Sequence, residues 1–98
     1  MTLSGNKALH ELSKLGNWTL RQSIISRKFV FANFVQAMRF VNRVARLAEA
    51  ANHHPDITIN YNRVKLALTT HDEGGLTMKD FSLADRINKL ARSTRAEV

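Results

Sequence analysis

One change of hydrophobic period limits the possible folds of this chain more than any other feature of its sequence. From Asn33 to Asn52 the apolar residues recur at helical spacing, and from Ile57 to Thr69 they alternate with polar residues, as they do in strands. Pro55 stands between the two patterns and disfavours helical geometry at His54. A long helix is therefore expected to end near Asn52 and to lead into a β-hairpin.

The long helix has a broad apolar face and a basic stripe on its other side. Such a helix packs on a sheet. The face is expected to comprise Phe34, Ala37, Met38, Val41, Ala45 and Ala48, widened by Phe40, Val44 and Leu47. The stripe consists of Arg39, Arg43 and Arg46. A stripe of this kind is usually a solvated surface, and it is also where a polyanion would bind.

The remaining patterns predict two further helices and a second hairpin. Ser4 caps a short helix that stops at Gly16, and Thr77, with Asp80 three residues later, resembles a capping box that starts the last helix. Between the first two helices, apolar residues at spacing two from Trp18 to Phe31 predict a hairpin with its turn at residues 21–23. The hairpin after Pro55 is expected to turn at Asn62-Arg63, with Tyr61 packed in the sheet.

Length and composition limit the class of protein. The 98 residues suit one domain, residues 1–98, with a frayed tail at 93–98. There is no apolar run of about 18 residues and no signal-peptide layout at the N-terminus, so a cytoplasmic protein without a membrane span is expected. With no cysteine, the chain has no disulfide, thiolate nucleophile or cysteine zinc site.

The net charge of +7 is confined to the first half of the chain. Residues 1–48 hold eight Lys/Arg against one acid, a net +7, whereas residues 49–98 hold seven of each. A basic half can attract nucleic acid or another polyanion. No DNA- or RNA-binding motif accompanies it, so a nucleic-acid partner is the less favoured interpretation.

Three of the four histidines lie in nineteen residues, at His53, His54 and His71. Histidine exchanges protons near neutrality, because its unperturbed pKa is ~6.5. Acid–base catalysis is the first of three interpretations; a three-histidine zinc site and structural histidines bonded to carbonyls are the others. Glu49 and His53 are four residues apart, on one side of the last helical turn, so Glu49 is expected to pair with His53.

A specific signature runs through this region: Glu49-x3-His53-His54-Pro55-x5-Tyr61-x9-His71-x8-Asp80. It resembles the signature of the pterin-4a-carbinolamine dehydratases, and every fixed position is met. The resemblance implies an α+β fold, with a four-stranded antiparallel sheet and helices packed on one face. It also implies dehydration of a 4a-hydroxytetrahydropterin to quinonoid dihydropterin and water, in pterin recycling, without a metal or organic cofactor.

The resemblance also implies roles for individual residues. His53 and His71 correspond to the acid–base pair, His54 to a binding and orienting group, and Glu49 to a residue that tunes or positions His53. The expected pterin-contacting segments are Asn52-His53-His54 and Thr69-Thr70-His71. Trp18 is a weaker candidate for a place near the pterin ring. Tyr61 and Asp80 are expected to be structural.

Partners follow from the same resemblance. A homodimer through sheet edges or a homotetramer through helices is expected, with functional coupling to an aromatic amino acid hydroxylase such as phenylalanine hydroxylase. The alternative function is a non-enzymatic scaffold for protein binding, assembly or coactivation on the same fold.

Overall fold

The structure contains one sheet of four strands that is antiparallel throughout. The computed structural model describes residues 1–94. Its elements, in chain order, are α1 (Gly5–Leu15), β1 (Thr19–Arg21), β2 (Ile24–Val30), α2 (Phe34–Ala51), β3 (Asp56–Asn60), β4 (Arg63–Leu68), a short 3₁₀ turn (His71–Glu73) and α3 (Met78–Thr94). The order of the strands in the sheet is β1-β2-β4-β3. The expected α+β class, with four strands and helices on one face, is confirmed.

The register of the sheet separates a buried face from an open one. Val64 and Leu66 of β4 face the core, and their partners on β2 are Phe29 and Arg27. Directly paired residues of an antiparallel ladder lie on the same face, because side chains alternate along each strand. The helices cover this face, and the core joins residues of the sheet to residues of all three helices.

The predicted buried face of α2 is correct in part. Ala37, Val41 and Ala48 are buried as expected, and so are Phe40 and Val44. Phe34, at 49% exposure, and Ala45 are exposed, which corrects two of the assignments. Tertiary packing centres the buried stripe on Phe40 and Val44, where α2 meets the core aromatics, and the sequence period alone does not determine that rotation.

The two hairpin turns differ from expectation in detail. Gln22 and Ser23 both have positive φ, 48° and 62°, which is the type I′ geometry that matches strand twist, although neither is Gly or Asn. In the second hairpin the turn is Tyr61–Asn62, and β4 already begins at Arg63. The expectation that Tyr61 packs in the sheet is wrong: with φ at 53° it is a turn residue, 63% exposed.

The ends of the first and last helices can be compared with the prediction. Ser4 Oγ accepts a hydrogen bond from Lys7 N, and the first helix stops at Gly16. The last helix includes Ser93 and Thr94, which were expected to fray, and residues 95–98 of the predicted tail lie outside the described residues. Within residues 1–94, no helix combines the length and hydropathy needed to cross a bilayer.

Candidate functional site

The C-terminal end of α2 places the first two histidines. Asn52 adopts a left-handed conformation, with φ 50° and ψ 43°. Its N–H bonds the carbonyl of Glu49 at 3.2 Å, and the N–H of His53 bonds the carbonyl of Ala48 at 3.1 Å. These two bonds form a Schellman motif, in which the chain leaves the helix axis directly after the left-handed residue. His53 and His54 therefore lie beyond the helix, in the short connection to β3.

The ring of His53 turns inward and meets a buried carboxylate. Its Nε2 lies 2.6 Å from Asp80 Oδ1, within hydrogen-bonding distance. The side chain of His53 is 11% exposed and that of Asp80 is fully buried. Because an ionised carboxylate only accepts hydrogen bonds, this contact fixes the proton on Nε2 in the neutral ring and leaves Nδ1 as its acceptor.

Asp80 is held by two further donors at the start of α3. Its Oδ2 accepts from Thr70 Oγ1 at 2.8 Å and from Thr77 N at 3.0 Å. Thr77 Oγ1 in turn accepts from Lys79 N at 3.2 Å, which completes the predicted capping box. A buried carboxylate is stable only when donors satisfy it, and here three do. The charge is thus fixed in place beside the imidazole.

His54 and Glu49 form a second, exposed pair. His54 Nε2 lies 2.5 Å from Glu49 Oε2, and the two side chains are 56% and 77% exposed. The expected pairing of Glu49 with His53 is therefore wrong. The left-handed turn at Asn52 takes His53 off the helical spiral, so the i, i+4 relation that would have brought it to Glu49 no longer holds at that residue.

The segment carrying His71 lies beside this network. Thr70, directly before it, is buried, and its hydroxyl bonds both Asp80 Oδ2 and Thr77 Oγ1. His71 itself is exposed at the start of the 3₁₀ turn. It directly follows Thr70, whose hydroxyl bonds the same carboxylate as His53.

The other expected pterin-contacting residues differ in their surroundings. Thr69 Oγ1 donates to Ser23 O at 2.7 Å, and Asn52 is exposed. The strand β4 ends at Leu68, so Thr69 and His71 both lie beyond it.

Asp80 has a contact with His53 that the sequence did not predict. It was expected to be structural, at the start of a helix, and that part is correct. Its second contact, to a histidine 27 residues earlier, depends on tertiary packing. The available signal was its fixed place in the signature. Trp18, which was considered for a place near the pterin ring, is 5% exposed, and its Nε1 donates to Asn88 Oδ1 at 2.7 Å.

Two other features bear on the alternatives considered for this chain. Within the described residues, no group of three His, Cys, Asp or Glu side chains is arranged to hold a metal ion. Arg43 and Arg46 of the basic stripe line a groove of about 630 Å³ between α2 and α3, together with Arg86 and Lys89 of α3. The histidines are not among the residues that line this groove.

Comparison with known proteins identifies relatives along nearly the whole chain. A sequence profile of the family "Pterin 4 alpha carbinolamine dehydratase" matches residues 1–90. A protein of Chloroflexus aurantiacus, provisionally named a pterin-4-alpha-carbinolamine dehydratase, is 54% identical over 88 residues, covering 90% of this chain and 95% of its own. A protein of the same provisional name from Acidobacterium capsulatum is 58% identical over 85 residues, which is 86% of this chain and 92% of its own.

Two solved structures share the fold. The crystal structure of a transcriptional coactivator/pterin dehydratase from Brucella melitensis superposes with a TM-score of 0.90 at 33% identity, over 93% of this chain and 99% of that one. A pterin dehydratase-like protein, described as a RuBisCO assembly factor of the alpha-carboxysome, superposes with a TM-score of 0.63. At 23% identity, over 76% of this chain and 86% of that one, it supports the fold alone. On this evidence the chain belongs to the pterin-4a-carbinolamine dehydratase family.

Proposed function

We propose that this protein dehydrates a 4a-hydroxytetrahydropterin to the quinonoid dihydropterin, with histidines as general acid and base. The observation that carries the proposal is the fully buried Asp80, which bonds the inward-facing ring of His53 at 2.6 Å. A buried carboxylate behind an imidazole orients the ring, fixes its tautomer and faces the positive charge that the ring gains on taking a proton. Burying a carboxylate in this way costs folding free energy, and the arrangement suits a general base.

The reaction needs two proton transfers and no change of redox state. His53, through Nδ1, accepts the proton from N5 of the pterin while a second histidine donates a proton to the hydroxyl on C4a. The N5–H and C4a–O bonds break, the N5=C4a double bond forms, and water leaves. The two histidines finish with exchanged protonation states and recover them by exchange with solvent.

His71 is the proposed acid, because it is exposed and follows the threonine that shares Asp80 with His53. His54 is the proposed binding group. Its ring and the Glu49 carboxylate form a polar pair at the exposed end of α2, suited to the hydrogen-bonding edge of a pterin. Asn52 and Thr69 flank these histidines and complete the proposed contact surface, whereas Thr70 acts through Asp80.

A homo-oligomer belongs to the same proposal. All five residues of β3 are exposed at the sheet edge, and Ile57 and Ile59 are 37% and 39% exposed there. An open edge of this kind offers unpaired backbone groups to a second strand. Pairing between the β3 strands of two copies would cover it, and light scattering on the purified protein measures the resulting mass.

The test is dehydration of a 4a-hydroxypterin, generated by an aromatic amino acid hydroxylase and followed spectrally. The wild type is expected to accelerate it, and His53→Ala and His71→Ala are each expected to lose about 10²–10⁴-fold in rate. His10→Ala, an exposed histidine on α1, is the matched control and should keep full activity. No acceleration by a folded wild type would refute the dehydratase and leave a binding scaffold on this fold.

A further inference from the structure

Arg27 is a charged residue on the buried face of the sheet. Its neighbours along that face of β2, Ile25 and Phe29, are fully buried, and its partner on β4 is Leu66. The guanidinium carbon lies 4.4 Å from the centre of the Phe29 ring. Arg27 itself is half-buried, and its contact with the face of the Phe29 ring is a favourable cation–π contact. A partly desolvated charge is nevertheless stabilised further by an opposite charge or by additional hydrogen bonds.

The hydrogen-bond partner of Arg27 is a neutral amide. Its Nη1 donates to Asn88 Oδ1 at 2.7 Å, and the same oxygen accepts from Trp18 Nε1 at 2.7 Å. Asn88 Nδ2 donates to the carbonyl of Leu15 at 3.3 Å. Among residues 1–94, no carboxylate forms an ion pair with Arg27. The guanidinium has five N–H donors, and this contact uses one.

A second guanidinium increases the need for an anion. Arg92 follows Asn88 by one helical turn on α3 and lies on the same cleft as Arg27. Burial, and then the charge of Arg92, lower the pKa of Arg27 below its usual range. Arg27 is half-buried and Arg92 is exposed, and the two cations line the same cleft. Among the described residues, the only side-chain acceptor for Arg27 there is the oxygen of Asn88.

The cleft between the two arginines is small. Its volume is about 180 Å³, and it is lined by Leu15, Asn17, Arg27, Asn88, Ala91 and Arg92. Sites for drug-sized ligands measure roughly 300–1,000 Å³. The dimensions therefore suit a small ion.

We propose that this cleft is a binding site for a small oxyanion of the phosphate or carboxylate class, held between Arg27 and Arg92. The planar guanidinium group matches two oxygens of such an ion with two parallel N–H donors. Asn88 anchors Arg27 from behind and connects the site to the indole of Trp18. The cleft is separate from the histidines: Asn88 is eight residues after Asp80 on α3, about 12 Å along the axis.

Trp18, the single tryptophan, is the reporter for the test. Inorganic phosphate and acetate are titrated separately at constant ionic strength while the indole fluorescence and the Trp18 Nε1–H resonance are followed. Saturable binding is expected, with a Kd on the order of 1 mM, a range accessible to titration. Saturation by phosphate alone identifies the phosphate class, and saturation by both anions identifies a general oxyanion site.

Three variants distinguish a built site from general attraction to a basic protein. Arg92→Gln, at an exposed position, should weaken binding about tenfold, which corresponds to about 1.4 kcal/mol. Arg86→Gln removes an exposed arginine of the same helix outside the cleft and should leave the affinity unchanged. Asn88→Asp places a carboxylate next to Arg27 and should abolish binding while retaining the acceptor for Trp18.

The proposal is overturned if neither anion gives a saturable change in the wild type. It is also overturned if Arg92→Gln and Arg86→Gln weaken binding equally, since the effect would then be the charge of the whole surface. Unchanged anion affinity in a folded Asn88→Asp variant would refute it as well, because the added carboxylate would not have competed. Circular dichroism and the thermal midpoint of each variant establish that it is folded.

Discussion

Replacing Asp80 by Asn tests the role of the buried carboxylate with almost no change in volume. Asp80 accepts hydrogen bonds from His53 Nε2, Thr70 Oγ1 and Thr77 N, at 2.6, 2.8 and 3.0 Å. An asparagine oxygen can still accept from both threonines. The NH₂ group of the asparagine then faces His53. To accept a hydrogen bond from it, the imidazole must adopt the other tautomer, with its proton on Nδ1 and not on Nε2.

The expected cost in stability follows from these contacts. The three hydrogen bonds to the buried carboxylate change from charge-assisted to neutral, and the difference between the two kinds is about 1 kcal/mol per bond. The negative charge at the first turn of α3 is lost as well, worth about 0.3–1 kcal/mol. Urea unfolding should therefore show a free energy of unfolding about 2–4 kcal/mol below that of the wild type.

The expected cost in activity is separate from the cost in stability. A proton on Nδ1 prevents His53 from acting as a base, so kcat for dehydration should fall by about 10² or more, even where the variant is fully folded. Nitrogen NMR of the ring reports which nitrogen carries the proton. The matched control is Asp85→Asn, which removes an exposed ion pair with Lys89 at 3.2 Å on the same helix and should change neither activity nor tautomer.

A folded Asp80→Asn variant that keeps its proton on Nε2 would contradict this account of the site. So would a kcat within about threefold of the wild type, since a lost general base costs far more. Either result would mean that the Asp80 carboxylate only caps the start of α3 and does not determine the tautomer of His53.

Three further outcomes are expected. His71→Ala should lower kcat, with a change in the free energy of unfolding within about 0.5 kcal/mol, because the residue is exposed; a large loss of stability would show a structural role. Asn52→Val should destabilise the protein by about 1–2 kcal/mol and lower activity, because a β-branched residue is strained at φ 50°, whereas Asn52→Gly should keep stability; equal stabilities would contradict the capping role. Burial raises the pKa of Glu11, but the hydrogen bonds and charges of Lys14 and Lys7 outweigh it and leave the pKa below the ordinary value of 4.5. Because the pKa is lower in the folded state, the Glu11 carboxylate stabilises the protein fully above about pH 4.5, and this stabilisation is lost as the pH falls through the folded-state pKa. Glu11→Gln should therefore reduce the decline in the free energy of unfolding in acid, as measured by urea unfolding at several pH values. An unchanged dependence on pH would refute the pairing of Glu11 with the two lysines.

Local patterns predicted those parts of the fold that local interactions determine. The caps at Ser4 and Thr77 and the alternation of β4 were found as expected, because a capping contact or a half-buried strand leaves its mark within a few residues. The type I′ turn at Gln22–Ser23 gave a weak signal, since residues other than Gly and Asn accept positive φ there under the constraint of the paired strands.

Contacts between distant segments were predicted least well. The spacing of Glu49 and His53 suggested a helical pair, but one left-handed residue between them changed the partner of each. The rotation of α2 depended on where the core aromatics lie, so Phe34 was misassigned. The signature nevertheless contained both Glu49 and Asp80, although Asp80 was expected to be structural and the histidine that each of them contacts was not predicted.

The double duty of Asp80 has a consequence for comparing sequences in this family. The carboxylate starts a helix as well as orienting a ring, so selection for folding alone is enough to retain it. Under the proposed function, a relative that had lost the reaction but kept the architecture would be expected to vary at positions 53 and 71 while position 80 stayed acidic. An aspartate at that position would then indicate shared ancestry, and the histidine that contacts it would indicate retained chemistry.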